Sequence, residues 1–310
     1  MSSLLRQLAH VEKLAASTRW HRLLHAPAKY IYAIGFRQLV YARTRRGVFK
    51  QVDTFFGVPM QVVLPAGTDL YLTGGKTHDS EIRLARLLLE TLRPGDDFVD
   101  VGAHFGYFAL LAARLVGPTG RVRAYEASAS TYAVLAANVA ALPQVQACHQ
   151  AVSDQPEVVS FYEFPVLFNE FNSMDVSQFE GEKWFKEFPP VKIQVPAVPL
   201  SEVLRETRLR PRIIKIDVEG AEDKVIAGAQ QVLSELAAAG HPPLVVMEYL
   251  SPVRHNASHR HAAALLAECG YAAHTLSAAG RPVPCADLDA YLAQSGQDSD
   301  NFVFIRTVES

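Results

Sequence analysis

The chain has 310 residues, of which 49% are hydrophobic, and its formal net charge is −2 at pH 7. This length suits one large α/β domain with an extension. The three cysteines have neither paired nor metal-binding spacing, which excludes a disulfide framework. No apolar run is long enough to span a bilayer and the first residues lack the features of a signal peptide, so we predict a cytoplasmic protein.

The first fifty residues are basic, with ten lysines and arginines and one acid, Glu12. One face of a predicted helix gathers the apolar residues Leu4, Leu8, Val11 and Ala15. Residues 30–42 are aromatic and apolar but too few to span a membrane. Three interpretations are open: the segment caps the acidic remainder of the chain, makes peripheral contact with the inner face of a membrane, or, least expected, binds polyphosphate or nucleic acid.

Two elements are predicted before the main domain begins. Residues 49–72 alternate apolar and turn residues, which predicts a small β element. The apolar spacing of residues 79–92 predicts a helix, and the Pro-Gly pair at Pro94 ends it. We therefore divide the chain into a basic extension, residues 1–75, and a main domain, residues 76–310.

Residues 98–108, FVDVGAHFGYF, are typical of a buried strand, a glycine turn and the start of a helix. Asp100 ends the strand, and Gly102 and Gly106 let the backbone turn sharply and approach a ligand. A strand that leads through such a turn into a helix forms a cradle for a nucleotide-like cofactor.

Two side chains distinguish between the cofactor classes. A dinucleotide site has the pattern G-x-G-x-x-G, but His104 takes the place of its second glycine and would crowd a pyrophosphate. S-adenosylmethionine carries no phosphate and suits this loop better. The next predicted strand, residues 121–126, ends at Glu126, in the range expected for an acid that binds ribose hydroxyls. The sequence therefore favours S-adenosylmethionine over NAD.

The rest of the main domain alternates strands and helices, which indicates a parallel sheet with helices on both faces. The predicted strands are 145–152, 213–217, 244–249 and 301–306. The predicted helices are 107–115, 128–142, 221–236 and 263–269. An insertion at about residues 155–210 interrupts this rhythm, with a predicted hairpin over residues 158–164. Its aromatic residues predict a lid or substrate pocket, a packed subdomain, or both: Phe168, Phe171, Trp184, Phe185 and Phe188.

Four motifs together resemble the FkbM family of S-adenosylmethionine-dependent methyltransferases. They are DVGAHFGYF from Asp100, KIDVEGAE from Lys215, AVSD from Ala151 and NS at Asn172. The resemblance implies an α/β, Rossmann-like class I methyltransferase fold, with a mostly parallel seven-stranded sheet whose seventh strand is antiparallel. It also implies methyl transfer, usually to oxygen, on a small-molecule, glycan or lipid-linked acceptor such as a glycolipid or natural product.

The resemblance also implies a set of cofactor-binding residues. They are Glu81, Asp100, Gly102, Ala103, His104, Gly106, Glu126, Ala127, Ser128, Ala151 and Val152. Asp100 and the glycine loop would line the methionine end, and Glu126 would bind the ribose. The chain departs from the family pattern at His104, where asparagine is usual, and at Ala127, where proline is usual. His104 therefore has an open role, towards the cofactor or the acceptor.

An alcohol acceptor needs a proton acceptor, and acids near the ends of strands are the candidates. Asp217 and Glu219 would share one face of an extended segment, and Lys215 would pair with Asp217 or Glu248. We predict Asp217, Glu219 and Lys215 as catalytic residues, with His78 and His104 as further candidate bases. The alternative is that Glu219 caps a helix beginning near residue 220 and that Asp217 binds backbone amides.

Three histidines lie close together in the sequence after the strand 244–249. His255, His259 and His261 have no cysteine at zinc spacing and are predicted to lie in a solvated loop and helix start, so no metal is predicted.

Two alternative functions stay open for a chain of this fold. It could be an NAD-dependent oxidoreductase, or a non-catalytic protein that uses its basic segment to bind a membrane or a partner.

Overall fold

The computed structural model describes residues 3–306. The strands are β1 (Val48–Asp53), β2 (Pro59–Leu64), β3 (Asp97–Val101), β4 (Arg121–Tyr125), β5 (Val145–Cys148), β6 (Ala151–Ser153), β7 (Glu157–Glu163), β8 (Val191–Pro199), β9 (Pro211–Ile216), β10 (Leu244–Leu250), β11 (Tyr271–Leu276), β12 (Pro282–Pro284) and β13 (Ser299–Arg306).

The α-helices are α1 (Ser3–Ala15), α2 (Arg19–His25), α3 (Pro27–Gly35), α4 (Ala42–Thr44), α5 (Thr68–Thr73), α6 (Asp79–Thr91), α7 (Tyr107–Val116), α8 (Ala129–Val139), α9 (Lys183–Glu187), α10 (Leu200–Thr207), α11 (Glu222–Ala227), α12 (Gln230–Ala238), α13 (Ala257–Glu268) and α14 (Leu288–Ser295). A π-helical turn, Phe36–Tyr41, joins α3 to α4. None of the helices within residues 3–306 has the length and apolar character needed to cross a membrane.

The central sheet has eight strands in the order β12-β11-β13-β10-β9-β3-β4-β5. Strands β5, β4, β3, β9 and β10 pair in parallel, whereas β13 runs antiparallel to both β10 and β11. This is the mostly parallel, Rossmann-like class I methyltransferase arrangement with an antiparallel last strand. The short strand β12 pairs antiparallel with β11 at the sheet edge, so the count is eight strands rather than the seven predicted.

Alternate side chains of the central strands enter two cores, one on each face of the sheet. Phe98 and Ile213 are buried on one face, and Val99 and Ile214 on the other. The first core also contains residues of the extension, including Leu8 and the aromatic and aliphatic side chains of the β1–β2 region.

Helix α1 uses its apolar face to pack on the main domain. Leu8, Val11 and Leu14 are buried, and Glu12 accepts hydrogen bonds from Arg86 of α6. The face predicted from the sequence is therefore covered by protein at its centre. Of the three interpretations of the basic segment, the one in which it packs over the rest of the chain applies to α1.

Three predicted elements differ from the structure. The strand predicted over residues 145–152 is two strands, because the chain leaves the central sheet after β5, and β6 joins a second sheet of order β6-β8-β7. The predicted hairpin over residues 158–164 is the single strand β7, whose antiparallel partner is the distant β8. The helix predicted over residues 221–236 divides around Gly228, where a Cβ would lie 2.2 Å from the carbonyl oxygen of Ser153.

The aromatic residues of the insertion pack against one another. The rings of Phe168 and Trp184 stack with centroids 4.4 Å apart, and Trp184 stacks on Phe171 at 5.3 Å. Phe179, which the sequence analysis did not single out, is fully buried among them. The insertion is thus a packed subdomain, and Phe171 on its inner side also lines the main cavity.

Candidate active site

The glycine loop turns immediately after β3 and is held in place by backbone contacts. The N–H groups of Gly102 and Ala103 donate to the carbonyl oxygen of Tyr125 over 3.0 and 2.9 Å. Gly102 has φ 77°, and a Cβ there would lie 1.7 Å from the carbonyl oxygen of Asp217. Only glycine therefore permits this loop to pack on the end of β9.

Glu126 lies just beyond the carboxyl end of β4 with its carboxylate held by the backbone. Its Oε2 accepts from the His104 N–H over 2.8 Å, and its Oε1 accepts from the Ser128 N–H over 2.9 Å. Burial raises the pKa of Glu126 to about 7, against the lowering effect of these two hydrogen bonds. Each carboxylate oxygen keeps acceptor capacity for a hydroxyl in the adjoining cavity.

A cavity of about 490 Å³ opens at the carboxyl ends of β3, β4, β9 and β10, where ligands bind in sheets of this kind. Nine predicted site residues line it: Glu81, Gly102, His104, Glu126, Ala127, Ala151, Val152, Asp217 and Glu219. Five others are not among the lining residues: Asp100, Ala103, Gly106, Ser128 and Lys215. The structure thus brings most of the predicted residues to one cavity, and Ala103, Ser128 and Lys215 donate hydrogen bonds to residues that line it.

Lys215 and Asp100 form a buried ion pair beneath the cavity floor. The ammonium nitrogen of Lys215 lies 3.1 Å from Asp100 Oδ1 and 3.3 Å from Asp217 Oδ2, and it donates to the Gly102 carbonyl oxygen. Burial alone would lower the pKa of Lys215, but the two carboxylates raise it above its usual value. Lys215 is therefore a buried, paired cation that is not among the residues lining the cavity, and its predicted catalytic role stays a prediction.

Three carboxylates meet at the end of the cavity formed by β9 and β10. Oxygens of Asp217, Glu219 and Glu248 all lie within 4.8 Å of one another. The segment is not extended as predicted, because Glu219 has φ 56° in the left-handed region. The Ser173 hydroxyl donates to the Glu219 carbonyl oxygen over 2.5 Å and holds this turn. The three groups, called the acid trio below, converge through the turn and not through strand alternation.

Helix α11 begins at Glu222, and the Glu222 carboxylate accepts from the Gly220 N–H over 3.1 Å. Asp217 has Lys215 as an ionic partner. The alternative in which Glu219 caps this helix and Asp217 binds backbone amides stays a prediction.

The three carboxyl groups of the acid trio differ in pKa and therefore in how readily they ionise. Burial raises the pKa of Asp217, but Lys215 and a hydrogen bond with Glu248 more than offset this, so the pKa is lowered. Burial and the neighbouring carboxylates raise the pKa values of Glu219 and Glu248 well above the ordinary range. Asp217 is thus the member of the trio that stays ionised most readily.

The histidines have different environments. Burial lowers the pKa of His104 to about 3, and its Nε2 lies 3.1 Å from Asn169 Oδ1, so the ring is neutral. His78 lines the cavity with Nδ1 2.7 Å from the Ser80 hydroxyl. His259 was predicted to be solvated, and this is wrong, because it is buried in α13 with Nε2 3.2 Å from Glu222.

Sequence reasoning missed the lysine that lines the cavity. Lys76 lies 3.0 Å from Glu81, and among residues 3–306 it is the lysine or arginine that lines this cavity. Burial raises the pKa of nearby Asp69 to about 6. The only signal was the glycine pair Gly74-Gly75 before α6, which allows a tight turn but does not indicate a ligand.

The residues present fit S-adenosylmethionine. Glu126 offers carboxylate oxygens for ribose hydroxyls, with the small apolar side chains of Ala127 and Ala151 beside it. Acids outnumber Lys76 along the cavity, which suits a ligand carrying sulfonium and ammonium charges. The donor set does not suit a pyrophosphate, since the neutral His104 occupies the loop.

Comparison with known proteins also indicates an S-adenosylmethionine-dependent methyltransferase. The family described as the methyltransferase FkbM domain matches residues 100–273. The 31-O-demethyl-FK506 methyltransferase FkbM of Streptomyces tacrolimicus is 31% identical over 162 residues, which is 45% of this chain and 61% of that protein. The match therefore spans less than two thirds of that relative.

Two solved structures are similar at low sequence identity. An S-adenosylmethionine-dependent O-methyltransferase from Thermotoga maritima is 12% identical, with 84% of this chain and 79% of that chain covered and a TM-score of 0.40. A structure described as a putative rRNA methylase from Clostridium thermocellum is 10% identical, with 76% and 99% covered and a TM-score of 0.42. Because these scores are low, the fold is identified by its own strand order.

Proposed function

Because this chain belongs to the FkbM family of S-adenosylmethionine-dependent methyltransferases, we propose that it methylates a hydroxyl oxygen of a sugar, glycolipid or natural product. The observation that carries the proposal is the ionised Asp217 within the acid trio, at the cavity end away from Glu126. A relative named as a 31-O-demethyl-FK506 methyltransferase supports oxygen as the acceptor atom. Membership of a methyltransferase family leaves no support for the NAD-dependent alternative.

The sulfonium of S-adenosylmethionine supplies an activated methyl group. The protein's own task is to align the acceptor oxygen with it, and such positioning contributes roughly 7–11 kcal/mol. Asp217 takes the hydroxyl proton, because Lys215 keeps its carboxylate ionised. Glu219 and Glu248, which retain protons more readily, orient the acceptor by hydrogen bonds.

The two ends of the cofactor meet different side chains in this proposal. Glu126 accepts hydrogen bonds from the ribose hydroxyls. The ion pair of Lys76 and Glu81 faces the amino-acid end, where the ammonium of Lys76 matches a carboxylate and the Glu81 carboxylate matches an ammonium. A zwitterionic ligand would thus be met by a complementary pair of charges.

Radiolabelled methyl transfer tests the acceptor class. The protein is incubated with S-adenosylmethionine carrying a labelled methyl group and panels of sugars, glycolipids and polyketide alcohols, with amine and thiol analogues as comparison. We expect label in a methyl ether, identified by NMR, and strongly reduced transfer by Asp217→Asn. Label found only on nitrogen, sulfur or carbon would contradict oxygen as the acceptor atom.

The pKa of Glu126 predicts a pH dependence of cofactor binding. Ribose hydroxyls donate to the ionised carboxylate, so binding is strongest above the pKa of about 7 and weakens as the pH falls through it. Titration calorimetry with S-adenosylhomocysteine should show a Kd about tenfold larger at pH 6 than at pH 8. The Glu126→Gln variant should bind more weakly with little change in Kd over this range. If the variant kept the same pH slope, another group would carry it.

A further inference from the structure

The segment between α1 and β1, residues 19–46 and called the arm below, exposes large apolar side chains to solvent. Trp20 and Leu24 of α2 are 75% and 78% exposed, and Ile31 and Leu39 beyond it are 65% and 62% exposed. No residue of α2 is buried. Aromatic and aliphatic side chains that are this exposed indicate a surface that binds another apolar surface, such as a membrane or a protein.

Beyond α2, the exposed side chains Ile31 and Leu39 lie on the side of the arm away from its buried residues. Ile31 precedes the buried Ala33 by two positions, and Leu39 precedes the buried Tyr41 by two. In the α-helix α3, two positions correspond to a rotation of about 200°. In the π-helical turn, which has more residues per turn, the rotation is somewhat smaller. Around Ile31 and Leu39, the arm therefore has a buried residue on one side and a largely exposed apolar side chain on roughly the opposite side.

The arm is also cationic. Between Lys13 and Lys50 the sequence has nine lysines and arginines and no aspartate or glutamate. Within the part of the chain that the structure describes, Arg45 is the one cation of the arm in a salt bridge, with Glu187 at 2.9 Å. Arg19, Arg22, Arg37 and Arg46 thus carry positive charge without a carboxylate beside it.

We propose that the arm is a docking surface for an anionic lipid bilayer, into whose interface Trp20, Leu24, Ile31 and Leu39 insert. Basic residues around exposed aromatic and aliphatic side chains are the chemistry that an anionic membrane surface recognises. A nucleic acid would match the charge but not the aliphatic side chains. This proposal concerns the arm alone and does not depend on which acceptor is methylated.

Docking through the arm would bring one wall of the cavity close to the bilayer. The Tyr41 hydroxyl accepts a hydrogen bond from the Leu167 N–H over 3.0 Å, and Arg45 lies over the ring of Phe188. The turn that contains Leu167 continues into Asn169 and Glu170, which line the cavity. The arm is therefore in direct contact with the segment that forms one wall of the cavity.

Co-sedimentation of the full chain with vesicles tests the proposal. We expect binding to phosphatidylcholine vesicles that contain phosphatidylglycerol, little binding to pure phosphatidylcholine, and weaker binding at about 1 M than at about 0.1 M salt. Each basic side chain at the surface should strengthen binding about fivefold, so Arg19→Glu with Arg37→Glu should lower it at least 25-fold. Trp20 fluorescence should shift to the blue with anionic vesicles, and Trp20→Phe should lose that shift.

Matched variants distinguish insertion of the arm into the bilayer from nonspecific hydrophobic binding by other exposed side chains. Trp20→Ser with Leu24→Ser should abolish vesicle binding at an unchanged melting temperature, because neither side chain is buried. Val253→Ser with Val283→Ser removes exposed apolar groups elsewhere and should bind as the parent does. Equal binding to both kinds of vesicle, loss of binding in the valine control, preference for duplex DNA, or a dimer that the Trp20 and Leu24 changes dissociate would each overturn the proposal.

Discussion

Replacement of Asp217 by asparagine is expected to lower kcat by about 10²–10⁴-fold while S-adenosylhomocysteine still binds with the parent affinity. Asparagine keeps the shape of the side chain but cannot accept the proton of an acceptor hydroxyl. The cofactor contacts proposed for Glu126 and Lys76 lie elsewhere in the cavity and are left intact. Steady-state kinetics together with calorimetric titration measure the two quantities separately.

The fold should survive this change, which keeps the result interpretable. Lys215 retains the Asp100 carboxylate at 3.1 Å when Asp217 loses its charge, so the buried ammonium is still paired. A melting temperature close to that of the parent is the control. If kcat hardly fell, the proton acceptor would have to be another acid, and Glu219→Gln and Glu248→Gln would then be the variants to compare. A loss of cofactor binding would place Asp217 in the cofactor site instead.

The strand ends were the part of the site that sequence reasoning predicted well. Asp100 and Glu126 stand at or just beyond the ends of β3 and β4 because apolar strand residues precede each of them and turn residues follow. The positive φ angles of Gly102 and Gly106 follow from the same pattern, since glycine is the residue that adopts them without strain. Local patterning is sufficient where one strand, one loop and one helix form a unit.

Long-range packing explains what the sequence could not show. The acid trio depends on the left-handed Glu219, which Ser173 of the insertion supports from 46 positions away. Lys76 lies before α6 in the sequence and lines the cavity beside Glu81 of that helix, at 3.0 Å. Strand β11, with the sequence YAAHTL, was missed because it has few β-branched residues and is identified by its partner β13. Each of these features is a property of the assembled fold.

Replacement of Gly102 by alanine should damage cofactor binding, turnover and stability together. The new Cβ would lie 1.7 Å from the Asp217 carbonyl oxygen, so the glycine loop and the end of β9 must move apart. Overpacking of this kind, with a left-handed backbone, costs about 2–4 kcal/mol. The melting temperature should fall by roughly 3–6 °C. Affinity for S-adenosylhomocysteine and kcat should fall with it, because the loop and Asp217 are the groups proposed for cofactor binding and proton transfer.

Gly57→Ala separates the effect of backbone strain from that of close packing. Gly57 has φ 78°, almost the angle of Gly102, but a Cβ there would have nothing within 4 Å. It should therefore lose only the conformational part of the stability, about 1 kcal/mol, and keep its cofactor affinity and kcat. Equal effects of the two substitutions would mean that strain alone explains Gly102. A larger effect at Gly102 would mean that the glycine loop and the Asp217 carboxylate, the proposed proton acceptor, depend on one point of backbone contact.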